Sequence, residues 1–492
     1  MKLYLDGHDF EYATQQIYMC LFPDSHGEIV GEIPTEGDFS VVKLSFSEGC
    51  VSAKTEIHFG DKVNASECSF SFSESDEEDK KRACRRSIKT SFYNAALPFL
   101  SKAPAWGCLT GIRPSKVAAN YIREGMDEKA ASEAMVKDYF VSSERAGLAT
   151  ACAIRAESLA KASRLRDMSL YVGIPFCASR CRYCSFVSHS IEKAKHLVSP
   201  YLKMLKKEIE MLGRASKETG LSLKSIYIGG GTPTSLENED LAFVMKCISE
   251  SFDISAIEEY TVEGGRPDTL TSDKIKTIRD FGATRISVNP QTMNDTILKA
   301  MDRRHTAEDV VKTVKEVRRI GGLIINTDLI AGLPDDNFES FKNSVDRMTE
   351  LSPENITVHT LAIKKGSELH REKYVLPAGE ETERMVEYAM DSLLKNGFAP
   401  YYLYRQKYMS GNLENVGYSK PGYESAYNNY IMDELHTILS AGAGGVTKLI
   451  NRKKEQIDRI FNPKYPYEYN NAGEKIVETG RAIAEFFNGE ED

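Results

Sequence analysis

Three cysteines, Cys177, Cys181 and Cys184, fall within the stretch SLYVGIPFCASRCRYCSFVSH, with three residues between the first pair and two between the second. One loop of that spacing can wrap three thiolates around an iron–sulfur cube and leave the fourth iron without a protein ligand. An amino acid's amine and carboxylate could fill the vacancy. A zinc site would want a fourth ligand, which His189 could supply; a redox-active or merely buried trio of thiols is the third reading. The other seven cysteines (Cys20, Cys50, Cys68, Cys84, Cys108, Cys152 and Cys247) stand singly, unlike the framework of a secreted disulfide-rich protein.

The cysteine loop follows a short apolar segment, SLYVGI, the first of six. SIYIGG, EEYTVEG, TRISVNP, LIINTDLIAGLP and NITVHTLA come after it, separated by longer amphipathic stretches. Strands alternating with helices make right-handed βαβ crossovers and a parallel sheet. Six repeats fall two short of an eightfold barrel, so the expected fold is α/β with a partial (β/α)6 barrel over residues 166–364. Residues 1–165 read as an α+β domain, sheet then helices. Its first 70 or so residues (MKLYLDG, QQIYMCLF, FSVVKLSFSEG, VSAKTEIHF) suggest a small antiparallel sheet, SESDEEDKKR a solvated junction, and the part beyond Arg85 helices broken at WGCLTGIRPSK. Residues 365–492 read as a C-terminal α+β domain with a mobile tail, NGEED.

In such barrels ligands gather at the C-terminal strand ends. There the sequence places Gly229-Gly230-Gly231-Thr232-Pro233, Glu263-Gly264-Gly265-Arg266, Asn289-Pro290-Gln291, Asp328 with Ala331-Gly332-Leu333-Pro334, and His359. Any one of these could be a turn or a helix cap. Together they offer close backbone approach at the glycines, with acceptors and donors at Glu263, Gln291, Arg303 and Asp328, as a ligand carrying a ribose, a sulfonium and an amino-acid group requires.

The bulk properties set the class. The chain has 492 residues, 41% hydrophobic and 27% charged, with a net charge of -9. That length suggests several domains, and the charge repels polyanions, so nucleic acid is not an expected partner. No apolar run reaches the ~18–20 residues of a bilayer span, and the N-terminus lacks signal-peptide character, so a cytoplasmic location is expected.

Taken together, LYVGIPFCASRCRYC, YIGGGTPT, VEGGRPDT, RISVNPQTMND…RRHT and NTDLIAGLP resemble the radical S-adenosylmethionine (SAM) enzymes related to oxygen-independent coproporphyrinogen III oxidase. The resemblance implies a [4Fe–4S] cluster on Cys177, Cys181 and Cys184, and SAM as the source of a 5′-deoxyadenosyl radical. It implies conversion of coproporphyrinogen III propionates to vinyl groups, giving protoporphyrinogen IX, with electrons from a flavodoxin or ferredoxin. By position, Tyr171, Gly230 and Glu263 are similar to contacts of the cluster-bound cofactor. Tyr183, Gly231, Thr232, Gln291, Arg303 and Asp328 are similar to residues of a second cofactor site. Arg266, Arg303, Arg304 and Arg405 are candidates to grip propionates bidentately.

The chain departs from the pattern in two places. Ser185 and Phe186 follow Cys184, where the established oxidases resemble a Cys-x-Cys ending. Ala426-Tyr427-Asn428-Asn429-Tyr430 stands where a haem-carrying sister branch has a His-Asn…Tyr-Trp element. The long N-terminal unit and the block YRQKYMSGNLENVGYSKPGYE look like a third, longer branch, regarded as haem-biosynthetic. The alternatives to the oxidase reading are a haem-binding carrier and a radical enzyme acting on another tetrapyrrole.

Overall fold

The computed structural model describes residues 1–23, 25, 27–376, 379–407 and 409–488, the last by its backbone alone, so the expectation for the tail falls outside the described residues. The chain packs as two compact units. One holds 1–153 with 405–407 and 411–413; the other holds the rest.

In the first unit, strands β1 (Lys2–Asp6), β2 (Glu28–Val30), β3 (Phe39–Ser47), β4 (Cys50–Phe59) and β5 (Lys62–Ser71) form a sheet of order β2-β1-β3-β4-β5. It is mixed rather than antiparallel, because β1 runs parallel to both β2 and β3. The reason is that QQIYMCLF is no strand. It belongs to helix α1 (Glu11–Leu21), whose buried residues Ala13, Thr14, Ile17, Tyr18 and Leu21 recur at helical spacing, and a helix between strands permits a parallel return. SESDEEDKKR is likewise not a loop throughout. Asp76 accepts hydrogen bonds from the backbone of Glu78 and Asp79 and so caps α2 (Glu77–Ala96), whose acidic first turn suits the helix dipole. Helices α3 (Pro114–Arg123), α4 (Glu128–Tyr139) and α5 (Ser143–Ala162) follow.

In the second unit the six expected strands are all present: β6 (Asp167–Ile174), β9 (Ser222–Gly230), β10 (Glu259–Gly265), β11 (Arg285–Val288), β12 (Ile324–Ala331) and β13 (Asn355–Thr360). They pair in parallel in that order, the partial (β/α)6 arrangement. Between β6 and β9 lie the two-residue strands β7 (Phe176–Cys177) and β8 (His189–Ser190) and helix α6 (Lys195–Glu218). Helices α7 (Asn238–Ser251), α8 (Ser272–Asp280), α9 (Asp295–Ala300), α10 (Ala307–Ile320) and α11 (Phe338–Leu351) occupy the later connections. The strands read as apolar runs because both faces of such a sheet are covered.

Residues beyond 365 share the barrel's sheet. After α12 (Glu368–Arg371) and α13 (Gly379–Lys395) come β14 (Ala399–Arg405) and β15 (Glu414–Ser419), then α14 (Ala426–Met432) and β16 (Thr437–Ala441). β15 is antiparallel to β13 at one edge, and β16 lies parallel to β6 at the other. This seventh parallel strand, the short buried segment TILSA, was not anticipated. β17 (Val446–Asn451) and β18 (Gln456–Phe461) continue that edge, and α16 (Gly473–Asn488) follows a short α15 (Pro466–Tyr469).

Helix α14 is fastened to the N-terminal ends of the strands. Glu259, the first residue of β10, accepts from Ser425 Oγ and Ala426 N, both at 2.8 Å, and lies 3.4 Å from Arg285. Arg285 donates to Asn326 Oδ1 at 2.7 Å and to the Tyr423 carbonyl at 2.9 Å, and Asn355 Nδ2 reaches that carbonyl at 2.6 Å. A largely buried polar collar therefore lies at the N-terminal ends of these strands. Among the described residues no helix is long and apolar enough to cross a membrane.

Candidate functional site

The cysteine loop leaves the end of β6 and is clasped by the end of β9. The two strands keep register up to Gly173 beside Gly229 and Ile174 beside Gly230. Gly231 N then donates to the Ile174 carbonyl at 2.8 Å and Thr232 N to that of Phe176 at 2.7 Å. Gly230 has φ +110, a left-handed value that disfavours side chains. At Gly231 the constraint is contact, since a Cβ would stand 2.6 Å from the Phe176 carbonyl and 2.9 Å from Cys177 Sγ. Gly231→Ala should cost ~1–3 kcal/mol of stability through overpacking and lower the iron content of anaerobically reconstituted protein. Wild-type iron with a wild-type thermal melt would show that the close approach is unimportant.

Hydrogen-bond donors are aimed at the sulfurs. Thr232 Oγ1 lies 3.5 Å from Cys177 Sγ, and Arg303 Nη1 lies 3.7 Å from Cys181 Sγ. Cys184 N donates to the Cys181 carbonyl at 3.0 Å, which curls the loop. Burial pushes the Cys184 thiol up to about 12, helped by its cysteine neighbours, and burial also raises Cys177. Donors thus reach two of the three loop sulfurs, the kind of surroundings an iron–sulfur cube requires, and among the described residues no three Cys, His, Asp or Glu side chains already stand in metal-holding geometry. His189, the fourth ligand of the zinc reading, instead packs edge-on against Tyr465 and Tyr467, each 6.4 Å away.

Two arginines hold the loop in place. Arg303 is buried and donates to the carbonyls of Asn289 (2.6 Å) and Gly265 (3.2 Å) and to the Tyr183 hydroxyl (3.0 Å). Arg266 grips Asp268 bidentately at 3.0 and 2.9 Å and donates to Ser179 Oγ at 2.6 Å. Burial opposes the charge on Asp268, but hydrogen bonds from His305 and Arg266 hold its carboxyl well below the usual range. Arg405 donates to the carbonyls of Leu109 (2.5 Å) and Asn412 (2.8 Å) and stacks over Trp106 in the first unit. Arg266, Arg303 and Arg405 are thus bound to protein acceptors, contrary to the expectation of free propionate clamps. Arg304 is exposed and pairs with Glu192 at 3.2 Å.

Facing the loop are acceptors without a strong cation. Burial, with the neighbouring charge of Asp328, pushes Glu263 up to about 8, although the Gly230 backbone and the Tyr227 hydroxyl favour its charged form. Asp328 Oδ2 lies 3.8 Å from His359 Nε2, whose other ring nitrogen lies 3.5 Å from the Tyr404 hydroxyl. Gln291 bridges to β12, its N donating to the Asp328 carbonyl at 2.9 Å, and has φ +70, a strained value for a non-glycine residue. Gln291 Oε1 and Asn289 Oδ1 are buried without a partner. Paired carboxylates and orphaned amide oxygens suit a ligand that carries positive charge and N–H groups. The mouth therefore fits both the cluster and SAM.

Known proteins sharpen this reading. The radical SAM superfamily pattern matches residues 171–348. The chain is 36% identical over 478 residues to the Bacillus subtilis (strain 168) oxygen-independent coproporphyrinogen-III oxidase-like protein HemZ, covering 96% of this chain and 95% of that protein. The chain belongs to this radical SAM family. Its cofactors are accordingly a [4Fe–4S] cluster and SAM. It is also 31% identical over 310 residues to the heme chaperone HemW of the same Bacillus, spanning 61% of this chain and 77% of that one. In fold it matches the Escherichia coli coproporphyrinogen III oxidase HemN, a radical SAM enzyme, with a TM-score of 0.52 and 23% identity, over 67% of this chain and 73% of that chain.

The candidate site also contains Tyr227 and Tyr427, which the motifs did not reveal. Tyr171 stacks with Tyr227 at 6.2 Å, and Tyr227 with Tyr427 of α14 at 4.7 Å, and all three rings are within Coulombic reach of Glu263. Burial keeps all three hydroxyls protonated well above the ordinary tyrosine value. Tyr227 could have been found from the pairing of SLYVGI with SIYIGG, whose tyrosines share a register position. Tyr427 had no local signal, because its partner is 200 residues away in sequence.

Proposed function

We propose that this chain oxidatively decarboxylates coproporphyrinogen III: a propionate gives up one carbon-bound hydrogen to the cofactor-derived radical, one electron to an external one-electron acceptor, and carbon dioxide, leaving a vinyl group. The observation that carries the reading is the neighbouring carboxylate pair Glu263 and Asp328, which among the described residues has no Lys or Arg ion pair, at the strand ends of the same barrel whose first strand leads into the three-cysteine loop. The match to a coproporphyrinogen-oxidase-like relative over nearly the whole chain supplies the substrate class. When bound, the cluster and SAM supply a radical able to abstract hydrogen.

The chain's own residues bind, orient and exclude water. In this reading Cys177, Cys181 and Cys184 are the cluster ligands. Gly230, with Tyr171 and Glu263, holds the cofactor's amino-acid and ribose portions, the carboxylate balancing its positive charge. Gly231, Thr232, Tyr183, Gln291 and Asp328 line the adjoining part of the mouth, and Arg303 fixes Tyr183 there. The Tyr171–Tyr227–Tyr427 stack is a dry floor that keeps solvent from the reacting centre. Residues 365–492 serve as the substrate-covering part, a role supported by Tyr404 of β14 standing beside His359 at the mouth. Residues 1–165 are an accessory unit.

The test is anaerobic incubation with reductant, SAM and coproporphyrinogen III, read by mass spectrometry. Successive losses of carbon dioxide are expected. Stoichiometric haem binding without turnover would transfer the chain to the carrier reading, which the HemW match keeps in play. Against the carrier, Tyr427 occupies the aromatic floor in the segment where that branch has its His-Asn element.

A further inference from the structure

We propose that the exposed face of the cysteine loop, together with the segment 361–376 pinned against it, is the docking surface for an acidic, low-potential one-electron carrier protein. The inference rests on the reading of that loop as the cluster site. The segment is fastened tightly. Arg180 Nη2 donates to the Gly366 carbonyl at 2.6 Å, and the backbone N–H groups of Glu368 and Leu369 donate to the Arg182 carbonyl at 2.9 and 3.2 Å. Gly366 packs so closely that a Cβ there would stand 2.7 Å from the Ser185 carbonyl. Lys364 and Lys365, next to Gly366, are thereby held near Ser185, with Lys364 within Coulombic reach of Cys184, and Arg371 and Lys373 flank Glu372, which Arg182 engages.

The charge of this face is opposite to that of the chain. Loop 175–190 and segment 361–376 together hold six basic side chains (Arg180, Arg182, Lys364, Lys365, Arg371 and Lys373) and two acidic ones, Glu368 and Glu372, in a protein of net charge -9. Glu372 is engaged by Arg182 at 2.6 Å. Among the described residues Lys365, Arg371 and Lys373 are exposed and make no ion pair, whereas partial burial lowers the Lys364 ammonium from its ordinary value. Two large apolar side chains stand out within the same segments, Phe186 at 66% exposure and Val375 at 80%. A few exposed apolar groups inside a rim of one charge sign are what a small, transient, electrostatically steered complex needs. The partner's sign must be negative. Its chemistry is fixed by the cluster, which needs one electron at low potential: the carrier is oxidised by one electron as the cluster is reduced by one, and no proton or atom changes place.

The test uses the cluster-loaded protein and an acidic flavodoxin. Lys365→Glu, Arg371→Glu and Lys373→Glu combined should weaken flavodoxin binding, measured by calorimetry, by about tenfold or more, and should flatten its salt dependence. The matching triple change to Gln should lose less, in proportion to charge. SAM cleavage driven by dithionite should be unchanged in both variants, while cleavage driven by reduced flavodoxin should fall. Unchanged flavodoxin affinity would overturn the proposal. So would a selective loss of coproporphyrin III binding, which would make the patch part of the substrate site. Absence of dithionite-driven cleavage in the wild type would instead defeat the cluster reading, leaving the binding experiment to judge the surface by itself.

Discussion

Cys181→Ala protein, purified and reconstituted without oxygen, should hold almost no iron–sulfur cluster and should cleave SAM at a rate indistinguishable from background. Of the three thiols, Cys181 is the one that receives Arg303 Nη1 and whose carbonyl turns the loop toward Cys184. Its loss removes a ligand and leaves a buried guanidinium donor without its sulfur, a cost of ~1–3 kcal/mol beyond the lost coordination. Iron and sulfide analysis with electron paramagnetic resonance reads the first effect, and chromatographic detection of 5′-deoxyadenosine the second. Zinc in place of iron in the wild type, or full iron retained after all three cysteines are changed to Ala, would refute the cluster.

The second large effect belongs to Glu263. With its carboxyl raised to about 8 by burial and by Asp328, the free protein holds it mostly protonated at pH 7. A positively charged cofactor needs the carboxylate, so SAM affinity should climb as pH rises toward 8, by at most about tenfold per unit, and then level off. Glu263→Gln should abolish that climb and bind SAM about 10–100-fold more weakly at pH 8.5, the worth of a charge-assisted contact. The stability effect has the opposite sign. A carboxyl whose folded value lies above its unfolded 4.5 contributes stability that is fully present below about 4.5 and is lost as pH rises through about 8. Without SAM, urea melts should show the wild type losing stability relative to Glu263→Gln between pH 5 and 8.5. Parallel curves would mean that Glu263 is ionised in the free protein and would remove the basis for its role.

Much of this was legible in the sequence because the barrel's information is local. Each parallel strand is a short apolar run with its functional residue at the end, so SIYIGG and EEYTVEG announce both a strand and a site. The N-terminal sheet was harder. QQIYMCLF is rich in residues that suit strands, and only the spacing of Ala13, Ile17 and Leu21 distinguishes it as a helix. The roles of the arginines were not legible at all. Arg266 and Arg405 are sequence features of the same kind as a substrate clamp, and only their partners, Asp268 and Ser179 in one case and two backbone carbonyls in the other, show that they brace the protein. β16 escaped notice because five residues carry too little periodicity, and Tyr427 because stacking across the barrel has no sequence signature.

The collar of Glu259, Arg285, Asn326 and Asn355 ties four neighbouring strands to one another and to the segment that leads into α14. Bracing at that end leaves the C-terminal strand ends, where Glu263, Gln291 and Asp328 stand, as the side of the barrel that can vary while the frame beneath stays fixed.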